Sequence, residues 1–379
     1  MEIDPYPSVI PYGRQWIDES DIAAVVETLR SDFVAQGPQV AALETALCEL
    51  TGTRYAVAVS SGTAALHLSC LGLGIGPADR GIVPAITFAA TANCLKYSGA
   101  NVTFCDVDSS SGLATSVHFM DALEKNPVAK VLLPVSYSGS VSDLSEISNL
   151  ANEAGAFVIE DAAHSIGATY GSGSRSASCE HSDAAILSFH PVKHICAGEG
   201  GAVLTNDETL ARRLRTLRTH GIEPREQWRY DQVELGYHYR MTDLQASLAL
   251  SQLKRLPDFL TRRRALVSRY RRAFEEEPFC SRIRVATTDE QSAHHLFVVH
   301  FRDEVEREAA YTFFHRHNVR VQIHYMPVYR HSYYEGFESR LCKGADRFYA
   351  TCLSLPLYPL LKDEEQNFVI RCLRAFLDR

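Results

Sequence analysis

Between residues 55 and 220, short apolar runs alternate with longer stretches of helical periodicity, and few folds satisfy both. The runs are Tyr55 to Ser60, Gly81 to Pro84, Val102 to Val107, Val131 to Val135, Ala156 to Glu160, Ala184 to Phe189 and Ala202 to Thr205. Helical spacing fills the intervals at Ala64 to Leu73, Phe88 to Tyr97, Ser142 to Glu153 and Asp207 to His220, with Gly74, Gly76 and Gly155 as stops. Strands that are apolar on both faces must be covered on both faces. The alternation therefore predicts a three-layer α/β domain around a mostly parallel sheet. In such sheets ligands sit at the carboxyl ends of the strands. Ser61, Asp161, His164, Ser188 and Lys193 all follow or lie near such ends.

The flanks have a different texture. Two helices are expected ahead of the alternation, over 18–31 and Val40 to Leu50. Behind it come helices Asp243 to Leu256 and Leu260 to Phe274, a strand Leu296 to Phe301, a helix Glu306 to His317, a strand Val319 to His324 and a helix Lys362 to Leu373. With 379 residues available, this suggests a large domain over 1–250 and a small C-terminal α/β domain with linking helices over 251–379. The second linking helix carries Arg262, Arg263, Arg264, Arg269, Arg271 and Arg272. A solvated face is the ordinary reading of such a run, and phosphate binding is the other. The net charge of -8 argues against a chain built to grip nucleic acid. Met1 to Pro11 has no signal-peptide pattern, and no apolar stretch approaches the ~20 residues that cross a bilayer, so a cytoplasmic protein is expected. The 10 cysteines include no CxxC pair, which assigns none of them to zinc or to a disulfide.

Three constellations could carry chemistry. Ser60-Ser61-Gly62-Thr63-Ala64-Ala65 joins a strand to a helix. Its amides and hydroxyls form either a phosphate cup or a simple helix cap and turn. Glu160-Asp161-Ala162-Ala163-His164 ends a strand. Asp161 there either keeps a pyridine nitrogen protonated or caps the next turn. Lys193, in Ser188-Phe189-His190-Pro191-Val192-Lys193-His194, is either a lysine made neutral for imine formation or an exposed surface cation.

Taken together and in this order, these motifs resemble the DegT/DnrJ/EryC1/StrS family of nucleotide-sugar aminotransferases. These are fold type I enzymes that use pyridoxal 5'-phosphate (PLP). The resemblance also rests on Gly37-Pro38, Pro84-Ala85-Ile86-Thr87-Phe88, Gly198-Glu199-Gly200-Gly201 and Gly236-Tyr237-His238-Tyr239-Arg240-Met241. It implies that Lys193 holds PLP as a Schiff base, Asp161 pairs with the ring nitrogen, Phe88 stacks on the ring and His164 lies near the phenolic oxygen. Thr63, Ala64 and Ser188 would hold the phosphate. His238 stands where asparagine is usual, on a segment that would enter the neighbouring subunit's site in a homodimer.

Within the family, the chain is similar to the aminotransferases of pseudaminic acid synthesis. The likeness lies in Ile10-Pro11-Tyr12-Gly13-Arg14-Gln15, Val321-Gln322-Ile323-His324-Tyr325-Met326-Pro327-Val328-Tyr329 and Leu353-Ser354-Leu355-Pro356-Leu357-Tyr358-Pro359. Cys196-Ala197 and Met326 depart from that group's usual residues. This likeness implies L-glutamate as donor, 2-oxoglutarate as its product, and a UDP-linked 4-keto sugar as acceptor. No nucleic acid, membrane or metal is implied. His324 and Tyr325, after an expected strand, either line the sugar end of the site or pack under the terminal helix.

Overall fold

The computed structural model describes residues 3–335 and 342–379, so Met1 and Glu2 of the opening stretch lie outside it. Its large sheet has seven strands: β1 (Tyr55–Val59), β2 (Arg80–Pro84), β3 (Asn101–Cys105), β4 (Val131–Leu132), β5 (Phe157–Asp161), β6 (Ala184–Ser188) and β7 (Gly201–Thr205). The spatial order is β1-β7-β6-β5-β4-β2-β3. Six strands run the same way, and β7 alone is antiparallel to both of its neighbours. Side chains such as Val57, Ile82, Leu132, Ile159, Ile186 and Val203 are almost fully buried, as strands covered on both faces require.

The helices that dress this sheet are α2 (Pro38–Thr51), α3 (Gly62–Gly72), α4 (Ala89–Tyr97), α5 (Ser116–Lys125), α6 (Leu144–Ala154), α7 (Glu208–Arg218) and α8 (Asp243–Lys254), with α1 (Glu19–Arg30) packed outside them on α8. A short hairpin, β8 (Ile222–Pro224) with β9 (Tyr230–Gln232), follows α7. The start of α2 is fixed by a residue more than 200 positions away in the chain. Gly37 cannot cap with a side chain, so the buried carboxylate of Asp243 accepts from the amides of Gly37 (2.9 Å), Val40 (3.1 Å) and Gln39 (3.2 Å). These unbonded first-turn amides, at the positive end of the helix, suit a carboxylate.

A second core is built from α9 (Leu256–Ala273), α10 (Phe279–Arg282), α11 (Glu304–Arg316) and α13 (Asp363–Leu377), whereas α12 (Lys343–Thr351), in the same stretch of chain, buries Ala345 and Phe348 in the core of the large sheet. With them goes the antiparallel sheet β10 (Arg284–Val285), β11 (Phe297–His300) and β12 (Cys352–Leu355). Ile10, Tyr270, Phe297, Phe314, Leu353 and Val369 pack together there. The chain's opening segment thus joins this core, with the Ile10 amide donating to Asn318 (2.9 Å) and its carbonyl accepting from Arg320 (2.8 Å).

Two expectations differ from the structure. Val319 to His324 forms isolated bridges, Val319 to Ile10 and Gln322 to Ser354, instead of a strand. Its two ends face different segments, so no continuous ladder develops. The basic run on α9 is also not uniformly solvated. Arg263 is 1% exposed and donates to the carbonyls of His294, His295 and Leu357. Arg262 and Arg269 pair with Asp363.

Candidate active site

The carboxyl ends of β1, β5 and β6 open into one cavity of about 680 Å³, closed from the other side by residues 322–326 of the small domain. Gly201, opposite Val59 and Ser188, keeps this mouth narrow. A Cβ there would stand 2.7 Å from the Gly62 amide nitrogen and the Leu187 carbonyl. The sheet edge and the start of α3 can approach so closely only across a glycine.

Lys193 sits in the loop between β6 and β7. That loop is fixed by bonds from the amides of Lys193 to His190 (2.8 Å), Phe189 to Gly200 (2.9 Å) and Ala197 to Phe189 (2.8 Å). Burial pulls its ammonium down to about 8, and the Asp161 carboxylate opposes that pull. The surface reading of Lys193 therefore fails, because the lysine lines the cavity. Asp161, the last residue of β5, lies in the same wall. Burial raises its carboxyl above the usual range. Donation from the Thr91 hydroxyl (2.7 Å) and the Ala163 amide (3.2 Å) works against that, as does the charge on Lys193.

His164 also lines the cavity, and burial holds it neutral, far below the ordinary imidazole range. Its ring stacks on His295 at 4.1 Å between centroids, its Nε2 lies 3.4 Å from the Tyr325 hydroxyl, and its Nδ1 has no hydrogen-bond partner among the described residues. Across the cavity, Ser61 caps α3 by accepting from the Ala64 amide (3.1 Å). Gly62, Thr63 and Ser188 line the wall beside that helix start, whereas Ala64 is buried one step inside it. Phe88 stands on the turn into α4, 6.0 Å from the Tyr325 ring, with 59% of its surface exposed. His324 lines the small-domain side, but its ring is turned to Ser354, with Nδ1 2.8 Å from the hydroxyl, and its carbonyl accepts from Tyr137.

One site residue lies elsewhere. His238 is exposed, bridges to Thr219 and lies 5.3 Å from the His220 ring, outside the cavity of its own chain. Among the described lining residues, Lys193 is the only lysine or arginine.

These groups fit PLP. A lysine amine that loses its proton near neutral pH can attack an aldehyde. A carboxylate stands in the same wall to face a ring nitrogen, and a helix start with adjacent hydroxyls can take a phosphate. The profile of the DegT/DnrJ/EryC1/StrS aminotransferase family matches residues 15–374. The chain belongs to that family.

Among its relatives is the spore coat polysaccharide biosynthesis protein SpsC of Bacillus subtilis, 35% identical over 96% of each chain. The UDP-4-amino-4,6-dideoxy-N-acetyl-beta-L-altrosamine transaminase of Campylobacter jejuni is 33% identical over 98% of each. Helicobacter pylori PseC, an aminotransferase involved in the biosynthesis of pseudoaminic acid, superposes with a TM-score of 0.91 at 27% identity. That superposition covers 98% of this chain and 100% of PseC. Similar chains are solved in PLP and PMP forms. This DegT-family chain is a PLP-dependent aminotransferase of fold type I.

The fold also brings to the site several residues to which the sequence motifs assign no role. Tyr12 arrives from the opening segment, Gln322 from the small domain, and His295 from a loop with no regular pattern. Thr87 and Thr91 carried a signal, two hydroxyls four residues apart where a strand gives way to a helix, Thr87 on the bend before α4 and Thr91 in its first turn.

Proposed function

We propose that the enzyme transfers the amino group of L-glutamate to C4 of a UDP-linked 4-keto-6-deoxy sugar. The specific acceptor is UDP-2-acetamido-2,6-dideoxy-beta-L-arabino-hex-4-ulose, and the product is UDP-4-amino-4,6-dideoxy-N-acetyl-beta-L-altrosamine, a step of pseudaminic acid biosynthesis. The observation that carries the transferase reading is the Lys193 amine, brought down to about 8 in a cavity it shares with Asp161. The likeness to the Campylobacter jejuni and Helicobacter pylori enzymes supports the sugar.

In this reading Lys193 anchors the cofactor. Once displaced by the donor, it is the base beside the donor's α carbon. Because it is held within the site, the proton transfer is effectively intramolecular. Bound PLP supplies an electrophilic carbon and an electron sink. Asp161 keeps the ring nitrogen protonated. Neutral His164 faces the phenolic oxygen, and Phe88 covers the ring. Thr63, Ala64 and Ser188 hold the phosphate, joined by His238 of a second copy in a homodimer. His324 and Tyr325 border the sugar. The same lysine returns the proton at C4 and so sets the configuration of the new amine. 2-Oxoglutarate leaves before the sugar enters.

The sugar assignment is tested by incubating the enzyme, in its pyridoxamine phosphate form, with a panel of UDP- and dTDP-linked 4-keto-6-deoxy sugars. The named L-sugar should give one 4-amino product with the highest kcat/KM. The likeness to SpsC favours a second reading, a 4-aminotransferase for a different keto sugar. Preference for another panel member would establish that reading instead.

A further inference from the structure

Asp161 is held by more than its own strand. Thr91 lies in the first turn of α4, and its hydroxyl donates to Asp161 Oδ2 at 2.7 Å. Thr87, on the preceding turn, places its hydroxyl 2.8 Å from that of Thr91. Both threonines are buried, at 0% and 2% exposure, and Thr87 lines the cavity. A hydroxyl has one proton to give. If Asp161 is ionised, Thr91 must donate to it, and Thr87 must then donate to Thr91. If Asp161 were protonated on Oδ2, the Asp161–Thr91 bond would reverse, and the Thr91 proton would be free to turn to Thr87. The direction of the chain is thus tied to the charge on the carboxylate. The same turn carries Phe88, so one helix start sets both the carboxylate and the aromatic ring at the cavity wall.

We propose that Thr91, backed by Thr87, is a positioning residue that holds Asp161 ionised and oriented toward the cofactor's ring nitrogen. This rests on the reading of Asp161 given above. In a buried site, a donated hydrogen bond to a carboxylate is worth more than the same bond in water. Here it works against the burial that favours the neutral acid and is the largest influence opposing it. The second bond, from Thr87, polarises the first hydroxyl and fixes its rotamer. The Ala163 amide holds the other oxygen at 3.2 Å, so the carboxylate plane is set from two directions.

The test uses holoenzyme reconstituted with PLP labelled with nitrogen-15 in the ring. The ring resonance distinguishes a protonated from an unprotonated pyridine nitrogen. Thr91→Val removes the hydroxyl at nearly constant shape. Its resonance should move downfield toward unprotonated pyridine, and cofactor retention should weaken by about tenfold. Thr91→Ser should restore both, which a purely structural role for the threonine would not require. Thr87→Val should give a smaller shift in the same direction, and it decides the matter if Thr91→Val does not fold. Asp161→Asn serves as the reference. If Asp161→Asn moves the resonance and the folded threonine variants do not, the proposal is overturned. If Asp161→Asn leaves the resonance unmoved, the Asp161 reading itself falls, and the proposal falls with it.

Discussion

At the scale of single residues, the account turns on the protonation of one amine. A lysine in water loses its proton near 10.5, whereas burial brings Lys193 to about 8. Below that value the amine is mostly charged and cannot attack an aldehyde. Above it the amine is free. Covalent attachment of PLP to the apoenzyme should therefore speed up as pH rises through about 8 and level off above it. Stopped-flow absorbance across pH 6 to about 10 would show this. A rate still climbing at the top of that range, as for a lysine that titrates near 10.5, would mean that the amine is not desolvated. Lys193→Ala should lose both the covalent attachment and several orders of magnitude in turnover, because one residue anchors the cofactor and moves the proton. Borohydride reduction of the native enzyme that labelled a different lysine would contradict this. Lys193 and Asp161 were legible in the sequence because each closes an apolar strand in a recognisable motif. The place of His295 and Tyr12 in the site was not, although Tyr12 stands in a segment that carries the resemblance. What brings them near is tertiary packing, and no local spacing records it.

At the scale of elements, the strand and helix alternation translated directly into the large sheet. Its strands are too apolar to be anything but buried, and the helices between them end at Gly74 and Gly155 in left-handed turns. The small domain was less legible. Short α12 and β12 and the paired bridges of residues 319–322 draw their order from distant partners, among them Ile10 and Ser354. Arg263 makes the same point. It belongs to a run of arginines whose pattern suggests a solvated face, yet it donates to three carbonyls beneath the site. The cap supplied by Asp243 is also invisible locally, because it joins residues 206 positions apart. Asp243→Ala would leave three amides at the start of α2 without their acceptor. The expected loss is about 2 kcal/mol of unfolding free energy, given the buried charge-assisted bonds involved. Urea denaturation of the holoenzyme measures it. A change within a few tenths of a kcal/mol would mean that other groups satisfy those amides.

At the scale of the whole molecule, the cavity is short of positive charge for the substrates proposed. A dicarboxylate, a diphosphate and the cofactor phosphate would meet one lysine and no arginine among the described lining residues. His238 and Arg240 instead lie on a segment pinned to the edge of β1, with the Ser60 amide donating to the Tyr239 carbonyl at 2.9 Å. A homodimer with shared sites would bring that segment to a second cavity. Mixing and reannealing Lys193→Ala with His238→Ala tests it, since only the mixed dimer holds one intact site. Random pairing predicts recovery of about a quarter of the wild-type sites. A mixture no more active than its components would confine each site to one chain.

That the transaminase works in two separable halves is checked with purified holoenzyme and L-glutamate alone. The absorbance of the lysine-bound cofactor should disappear as that of pyridoxamine phosphate appears, with one equivalent of 2-oxoglutarate per site and no sugar present. If the spectral change and the 2-oxoglutarate appear only when the keto sugar is added, the two-half account is wrong.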